Sequence, residues 1–272
     1  MYIKSNFIDA SRFEAKFKEY SHIQFGFFFD YIPSDYELSL NPINIFAHDE
    51  PNEYFGHHDW VLANKDKFSL ILTWSKRLLS KCDNSRLLLF GEGWVDDGTD
   101  TIYKSYDKKF DVSFIRGDKL KTTGQLVRHQ IFNRQDELTP PLNFYANTNI
   151  SNFQECINSK VMAHNHSMFS LVIENTNHHN YFTEKITDCI LLKSIPIYWG
   201  CSNIGDFYNT EGILQFNSDD DAIDIINSLT PELYHEKLEV IEENWKKAFE
   251  YKNYLSNIKN ILHETFELND LL

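Results

Sequence analysis

Short apolar runs alternate with polar or helix-favouring segments through the first part of this chain. Each run is rich in β-branched and aromatic residues, which favour strands. Such alternation predicts βα units and a mostly parallel sheet rather than a sandwich. The predicted strands are Ile23–Phe29, Ile43–Phe46, Phe68–Trp74 and Arg86–Phe90.

The alternation continues through the rest of the chain. Pro140-Pro141 interrupts it, and we expect helix, strand, helix and strand from there to Gly200. Thr230-Pro231 places an N-cap residue before a proline, which marks the start of a helix. We expect helix from this point to Leu268, with a break near 251–256. The other predicted elements are strands at Phe110–Ile115, Phe169–Ile173, Ile195–Trp199 and Gly212–Phe216, and helices at Gly124–Arg134 and Asp219–Leu229.

A polar, charged stretch, Tyr106-Asp107-Lys108-Lys109, separates the two halves of this pattern. The chain has 272 residues, enough for two modest domains with their own cores. We therefore predict one α/β domain over residues 1–107 and a second over residues 108–250. Residues 251–272 are predicted to form a C-terminal helix that packs back on the first domain.

Acidic residues outnumber basic ones, 40 to 26, and give a formal net charge of −14. This charge repels phosphate polymers and anionic lipid surfaces, so we expect no nucleic-acid partner. A few local Lys and Arg side chains can still hold a small anion at contact range. The first residues lack an apolar segment of signal-peptide length, and no run of about 18 apolar residues occurs. We therefore expect a soluble, cytoplasmic protein without a membrane span.

The segment Phe169–Gly200 carries the most informative pattern. An apolar strand runs into a polar loop, the sequence Tyr181-Phe182-Thr183-Glu184-Lys185 opens an amphipathic helix, and a second apolar strand ends at Gly200. In an open α/β sheet, ligands bind beyond the carboxyl ends of the strands, where helix N-termini direct N–H groups at anions. The pattern predicts a site for a nucleotide sugar.

Two cations are suitably placed for the phosphates of such a ligand. Lys185 lies in the first turn of the predicted helix, where its ammonium and the free N–H groups can approach one phosphate. Arg128 lies on the helix after the first strand of the second domain, and its guanidinium can bind a second phosphate oxygen in a forked geometry. The alternative for Glu184 and Lys185 is an ordinary solvated ion pair at a helix start.

Three motifs in this segment resemble, in order and spacing, the signature of the α1,3/4-fucosyltransferase family, glycosyltransferase family 10. They are Phe169 followed by Glu174-Asn175, the box Tyr181–Lys185, and the strand Ile195–Gly200 with its Ile-Pro-Ile-x-x-Gly pattern. Three motifs in order are far more specific than a single glycine-rich motif. The resemblance covers residues 169–216 well and the first domain only in outline.

The resemblance implies a GT-B-like architecture, an α/β fold in which two Rossmann-like domains face each other across a cleft. The first domain would be the acceptor side, and the second would bind the donor, GDP-fucose or a related nucleotide sugar. The resemblance implies phosphate-binding roles for Arg128 and Lys185, and donor contacts for Asn175, Tyr181 and Glu184. It also implies that neither a metal nor a cofactor is required.

The resemblance further implies an inverting single displacement with a glutamate as general base, in a loop that follows a strand of the first domain. The comparable stretch here is 44–55, in which Glu50 fits best. Glu50 would take the proton of a glycan acceptor's hydroxyl while the two cations stabilise the leaving diphosphate. His48-Asp49 stands where the family has Thr-Gly, so Asp49 and Glu53 remain candidates, and an ordinary surface acid remains the alternative.

Two other functions remain open. The altered base loop is compatible with a non-catalytic protein that binds a carbohydrate or a nucleotide sugar. Asp219-Asp220-Asp221 could hold a metal-bound diphosphate in a metal-dependent glycosyltransferase that uses a different nucleotide sugar, although the helix dipole also explains acids at a helix start. Three histidine pairs lack the i, i+4 spacing of a zinc-binding helix, so we predict no metal site: His57-His58, His164 with His166, and His178-His179.

Overall fold

The computed structural model describes residues 1–5, 10–95, 107–146 and 153–266. The chain divides into two compact units. Unit 1 consists of Met1–Phe90 and the stretch that begins at Tyr254, and unit 2 consists of Gly91–Asn253. Each unit is built on one parallel sheet.

The strands and helices of the described residues are numbered in chain order. The strands are β1 (Tyr2–Ser5), β2 (Phe25–Phe29), β3 (Ile43–His48), β4 (Leu70–Thr73), β5 (Ser85–Leu87), β6 (Lys109–Arg116), β7 (Leu142–Ala146), β8 (Ser167–Ile173), β9 (Ile195–Trp199) and β10 (Leu214–Gln215). The helices are α1 (Ala10–Lys16), α2 (Asp35–Ser39), α3 (Asn52–Phe55), α4 (His58–Ala63), α5 (Lys76–Leu79), α6 (Thr123–Asn133), α7 (Phe153–His166), α8 (Glu184–Leu191), α9 (Asp219–Asn227), α10 (Pro231–Glu236), α11 (Leu238–Tyr251) and α12 (Tyr254–Phe266).

The sheet of unit 1 keeps the strands in chain order, from β1 to β5, and all of its described pairs are parallel. β2 is buried along its whole length because apolar clusters cover both faces of the sheet. Phe27 belongs to the cluster on one face, while Phe28 and Phe46 belong to the other. The period of two along a strand explains why neighbours in β2 reach opposite faces.

α12 belongs to unit 1 although the whole of unit 2 separates it from β5 along the chain. Its buried residues Tyr254, Ile258 and Leu262 repeat at helical spacing and lie in the same apolar cluster as Phe27. Tyr20 also forms a hydrogen bond with His263 of this helix. The core of unit 1 is therefore built from two separate parts of the chain.

The sheet of unit 2 has the order β10-β9-β8-β6-β7, with parallel pairing throughout its described strands. The chain passes from β6 to β7 on one side and then crosses to β8 on the other side of β6. The direction of strand addition reverses between β6 and β8, and such a reversal is where open α/β sheets form a crevice for ligands. α6 follows β6, and α8 follows β8.

The two parallel α/β units confirm the predicted fold class. The arrangement of the two domains across a cleft stays a prediction, as do the boundaries at 107/108 and 250/251. Residues 96–106, next to the first of these boundaries, lie outside the described residues. No helix in the described ranges is both long enough and apolar enough to span a bilayer.

Most predicted elements lie within a few residues of the observed ones, and β9 has the predicted bounds. Two strands were not predicted: β1 is a short edge strand, and β7 begins directly after Pro140-Pro141, which indicated only a break. The strand predicted at Gly212–Phe216 is shorter because its first residue closes a 3₁₀ turn. The break between α11 and α12 falls where it was predicted, and residues 267 and 268 lie outside the described residues.

Candidate functional site

The candidate site lies at the carboxyl end of β8, beside the reversal of strand order in unit 2. β8 ends at Ile173, and Glu174 and Asn175 follow. The start of α6 packs directly against this turn, because the N–H of Gly124 donates to the carbonyl oxygen of Asn175 at 3.0 Å. A Cβ at residue 124 would overlap the carbonyl oxygen of Glu174, so this close approach requires glycine.

Arg128 of α6 reaches the same end of β8. Its Nε donates to the carbonyl oxygen of Ile173 at 3.0 Å, and its Nη2 donates to that oxygen and to Oδ1 of Asn175, the latter at 3.1 Å. The side chain is half-buried. These bonds fix the direction of the guanidinium before any ligand binds.

Thr183 joins the end of β8 to the start of α8. Its N–H and its hydroxyl donate to the two carboxylate oxygens of Glu174, at 2.9 and 2.6 Å. Its hydroxyl also accepts from the N–H of Lys185, as an N-cap residue does. Glu174 is fully buried, and this burial raises the pKa of its carboxyl although the charge of Lys185 opposes the effect.

The ammonium of Lys185 lies 3.0 Å from the hydroxyl of Thr183 and 3.7 Å from Oε2 of Glu174. Its side chain is 25% exposed, so a ligand can reach it. Arg128 contacts the residues on either side of Glu174, and Lys185 approaches Glu174 itself. Two cations from two helices therefore converge on one turn, an arrangement suited to a ligand with two negative charges.

α8 carries two buried carboxylates one turn apart, Glu184 and Asp188. The buried Lys160 of α7 lies 2.7 Å from Oδ2 of Asp188 and 3.5 Å from Oε1 of Glu184. Burial acts to raise the pKa of Glu184, but the charges of Lys185 and Lys160 outweigh it and hold the pKa at about 2. Burial raises the pKa of Asp188, against the opposing effect of Lys160. Glu184 is therefore the carboxylate whose ionised form this environment favours.

Tyr181 lies in the loop between β8 and α8 and is only 1% exposed. Its N–H donates to the carbonyl oxygen of His178 at 3.2 Å. Asn180 has a positive φ of 62° and is held by two hydrogen bonds with Asn203, at 2.7 and 2.9 Å. The structure thus places Tyr181 inside a well-fixed loop rather than on its surface.

In unit 1, the buried Asp30 holds the loop that carries the predicted base. Oδ2 of Asp30 accepts from the N–H groups of Asp49, at 3.0 Å, and Glu50, at 2.7 Å. Burial, together with the nearby charge of Asp49, raises the pKa of Asp30. The backbone of Asp30 adopts a positive φ of 44°, which costs free energy in a non-glycine residue and is more frequent at functional sites.

The three candidate bases differ in their surroundings. The carboxylate of the buried Asp49 accepts from the hydroxyl of Tyr254, and its carbonyl accepts from Nε1 of Trp74 at 2.9 Å. Glu50 is half-buried, whereas Glu53 is exposed on α3. Asp49 is thus buried with a structural bond to its carboxylate, Glu50 and Glu53 are more accessible, and the choice among the three stays a prediction.

Within the described ranges, no group of three or more His, Cys, Asp or Glu side chains is arranged to hold a metal ion. The acidic triplet Asp219-Asp220-Asp221 forms contacts within the protein. Asp221 forms a capping box with Ser218, and Arg134 pairs with Asp219 at 3.0 Å and with Asp220 at 2.6 Å. These contacts explain the triplet as the start of α9, while the absence of a metal requirement stays a prediction.

The structure brings Arg128, Asn175, Glu184 and Lys185 together around the end of β8 and the start of α8, with Tyr181 in the connecting loop. Glu50 lies in unit 1. The roles of all six stay predictions.

Sequence reasoning did not predict roles for Glu174, Lys160 or Asp188, because charged side chains are usually exposed. One signal was available: Glu184 and Asp188 are spaced i, i+4 on a helix with mostly apolar neighbours, which predicts a buried cation beside them.

Residues 113–266, more than half of the chain, match the sequence model described as glycosyltransferase family 10 (fucosyltransferase) C-term. The alpha-(1,3)-fucosyltransferase FucT of Helicobacter pylori is 34% identical to this chain over 95 residues. The match covers 31% of this chain and 19% of the relative.

Solved structures show the same fold at lower identity. An alpha1,3-fucosyltransferase with GDP-fucose superimposes with a TM-score of 0.56 at 17% identity, over 93% of this chain and 89% of that chain. An alpha,alpha-trehalose-phosphate synthase (UDP-forming) from Burkholderia xenovorans gives 0.55 at 10% identity, over 95% and 79%. The extent of the family match and the order of the motifs lead to one assignment: this chain belongs to glycosyltransferase family 10, the fucosyltransferases.

Proposed function

We propose that the protein transfers fucose from GDP-fucose to a hydroxyl of a glycan acceptor, by a single displacement that inverts the anomeric centre. The observation that supports this proposal best is the convergence of Arg128 and Lys185 on the turn after β8. A site for a diphosphate needs cations that meet at one place and N–H groups from a helix start, and this turn offers both. GDP-fucose is the proposed donor because the family is that of fucosyltransferases and a structurally similar member was solved with it.

In the proposed mechanism, Arg128 and Lys185 neutralise the charge that develops on the leaving GDP. Their side chains are held by Ile173, Asn175 and Thr183, so little reorganisation is needed during the reaction. Removal of one such contact typically lowers kcat by about 100-fold or more.

Glu184 and Asn175 would bind hydroxyl groups of the donor. The ionised carboxylate of Glu184 is an acceptor for hydroxyl hydrogens, and the amide of Asn175 lies beside Arg128. Tyr181 would shape the donor pocket from its buried position in the loop.

Glu50 would act as general base and take the proton of the acceptor hydroxyl during attack on the anomeric carbon. The hydrogen bond from its N–H to Asp30 fixes the backbone of this residue, while its half-buried side chain can meet substrate.

Binding and transfer test this proposal separately. Calorimetry with GDP-fucose, GDP and UDP is expected to show binding of both guanine nucleotides and weaker binding of UDP. Lys185→Met is expected to weaken GDP binding, while Lys193→Met, at the other end of α8, leaves it unchanged. Absence of any response to GDP and GDP-fucose would refute the donor.

Transfer is measured as release of GDP in the presence of a panel of glycans. Glu50→Gln is expected to bind GDP-fucose normally and to lose transfer, whereas Glu53→Gln keeps it. NMR of the product gives the anomeric configuration, and activity after chelation with EDTA tests the metal requirement. Donor binding without transfer to any acceptor would instead indicate a non-catalytic nucleotide-sugar binding protein.

A further inference from the structure

Lys160 lies in a buried charged cluster of unit 2, together with Glu184, Asp188 and Trp94. Lys160 is 4% exposed. Its ammonium lies 2.7 Å from Oδ2 of Asp188, 3.5 Å from Oε1 of Glu184 and 4.4 Å from the ring centre of Trp94. Burying a lysine costs free energy unless its charge is balanced, so such a cluster requires an explanation.

Asp188 accounts for one part of the cluster. Its Oδ1 accepts from the N–H groups of Trp94 at 2.7 Å and Val95 at 3.2 Å, while its Oδ2 pairs with Lys160. This pair fixes the Trp94–Val95 segment to α8. One lysine and one aspartate already balance each other, and the indole ring adds a cation–π contact. The structural role of Lys160 is therefore satisfied without Glu184.

The contact between Lys160 and Glu184 is not explained by the Asp188 pair. The ammonium groups of Lys160 and Lys185 both approach its Oε1, at 3.5 and 3.2 Å. Without nearby cations, a carboxyl group in such a buried position takes up a proton. Its protonated oxygen then donates a hydrogen bond, whereas both oxygens of a carboxylate accept hydrogen bonds. With two cations at one oxygen, the carboxylate keeps its charge and its orientation.

We propose that Lys160 is a positioning residue for donor binding, which holds the Glu184 carboxylate charged and in one orientation so that it accepts hydroxyl groups of the bound nucleotide sugar. The inference rests on the proposed function, in which Glu184 contacts the donor. Lys160 itself does not contact the ligand in this account; it acts through Glu184.

The test must separate this role from the structural one. In Lys160→Met with Asp188→Asn, the buried ion pair is removed as a pair, so no unpaired charge remains at residue 188. The Oδ1 of the new asparagine can still accept from the N–H groups of Trp94 and Val95. Lys160→Gln serves as a second variant, which removes the positive charge but keeps a hydrogen-bond donor for the Asp188 carboxylate.

The matched control is Lys193→Met. Lys193 also pairs with one carboxylate, Oε2 of Glu242 at 2.7 Å, and also lies over an indole, 4.6 Å from the ring centre of Trp245. It follows the opposite end of α8 and has no place in the proposed donor site. The control therefore removes the same two kinds of contact, at a more exposed position, without affecting Glu184.

Affinity for GDP-fucose and for GDP is measured by calorimetry at about pH 8 and about pH 5, where an unperturbed glutamate is still mostly ionised. With the Lys160 charge removed, burial is opposed mainly by the charge of Lys185, so the pKa of Glu184 rises and its ionised fraction at about pH 5 falls. Both Lys160 variants are expected to lose more affinity between about pH 8 and about pH 5 than Lys193→Met does, and the size of this loss reports how far the pKa of Glu184 has risen. Wild-type protein is expected to behave as the control does, because its Glu184 stays ionised at both.

If the Lys160 variants show this pH-dependent loss of affinity with GDP, Glu184 binds hydroxyls of the ribose. If they show it only with GDP-fucose, Glu184 binds hydroxyls of the sugar. Both results support the inference. If the Lys160 variants match Lys193→Met at both pH values while Glu184→Gln weakens binding, Lys160 has only its structural role and the inference is wrong. If Glu184→Gln binds as wild type does, Glu184 is not a donor ligand and the inference falls too. If wild-type protein binds neither nucleotide, the proposed function fails first.

Discussion

Replacement of Thr183 by valine removes a single hydroxyl from the junction of β8 and α8 and keeps the shape of the side chain. That hydroxyl donates to Oε2 of Glu174 at 2.6 Å and accepts from the N–H and the ammonium of Lys185, at 3.4 and 3.0 Å. Thr183 is 1% exposed, so water cannot replace the lost bonds without disturbing the surrounding residues.

The expected loss of stability follows from these contacts. A hydrogen bond to a buried carboxylate contributes about 2 kcal/mol, and loss of an N-cap costs about 1 kcal/mol. We therefore expect Thr183→Val to lower the free energy of unfolding by about 3 kcal/mol. GDP binding should weaken as well, because the ammonium of Lys185 loses a fixed partner.

Urea denaturation of wild type, Thr183→Val and Thr187→Val provides the measurement. Thr187 is a matched control: it is equally buried on the same helix, and its hydroxyl donates to the carbonyl oxygen of Thr183 at 3.2 Å. A neutral bond to a backbone carbonyl contributes about 1 kcal/mol or less. Equal losses of stability in the two variants would refute the reasoning, since the carboxylate bond would then carry no extra free energy.

Gly124→Ala is expected to lower both the stability and the affinity for GDP, because its methyl group would lie 2.9 Å from the carbonyl carbon of Glu174. Gly117→Ala, with open space around it, should change neither. Thermal unfolding measures the stability of the two variants, and calorimetry measures their affinity for GDP. At Glu37, the bond from the N–H of Ser34, opposed by burial, helps to lower the pKa to about 2, below the ordinary value of 4.5. The stabilisation by the ionised Glu37 carboxylate is complete above pH 4.5 and is lost as the pH falls toward 2. The difference in stability between wild type and Glu37→Gln should therefore narrow in that range. A constant difference in urea midpoints across this range would contradict the assignment.

The elements that could be predicted are those whose local sequence and tertiary environment agree. β8 and β9 are apolar runs that end in turns, and they are buried in the centre of a parallel sheet. The start of α8 could be predicted because Thr183 is a favourable N-cap residue. Lys185, in the first turn of this helix, has a partly exposed side chain, as expected for a cation. The position of Arg128 on α6 followed from the order of strand and helix alone.

The elements that could not be predicted depend on contacts between distant parts of the chain. β7 is an edge strand in the described sheet, and its pairing with β6 is not visible in its own residues. Lys160 lies 24 residues before Glu184 along the chain, and only the packing of α7 against α8 brings them together. Glu174 follows a strand end and could equally have faced solvent, so its burial depends on the turn closing over it.

The helix α12 gives unit 1 a core that is completed from a distant part of the polypeptide. During synthesis, Phe27 and its neighbours leave the ribosome long before Ile258 and Leu262 exist to cover them. Unit 2 is continuous in sequence and needs no such delayed contribution. The nascent chain therefore has to carry an uncovered aromatic surface while unit 2 is being made, and such a surface is a target for chaperones until the final helix has been synthesised.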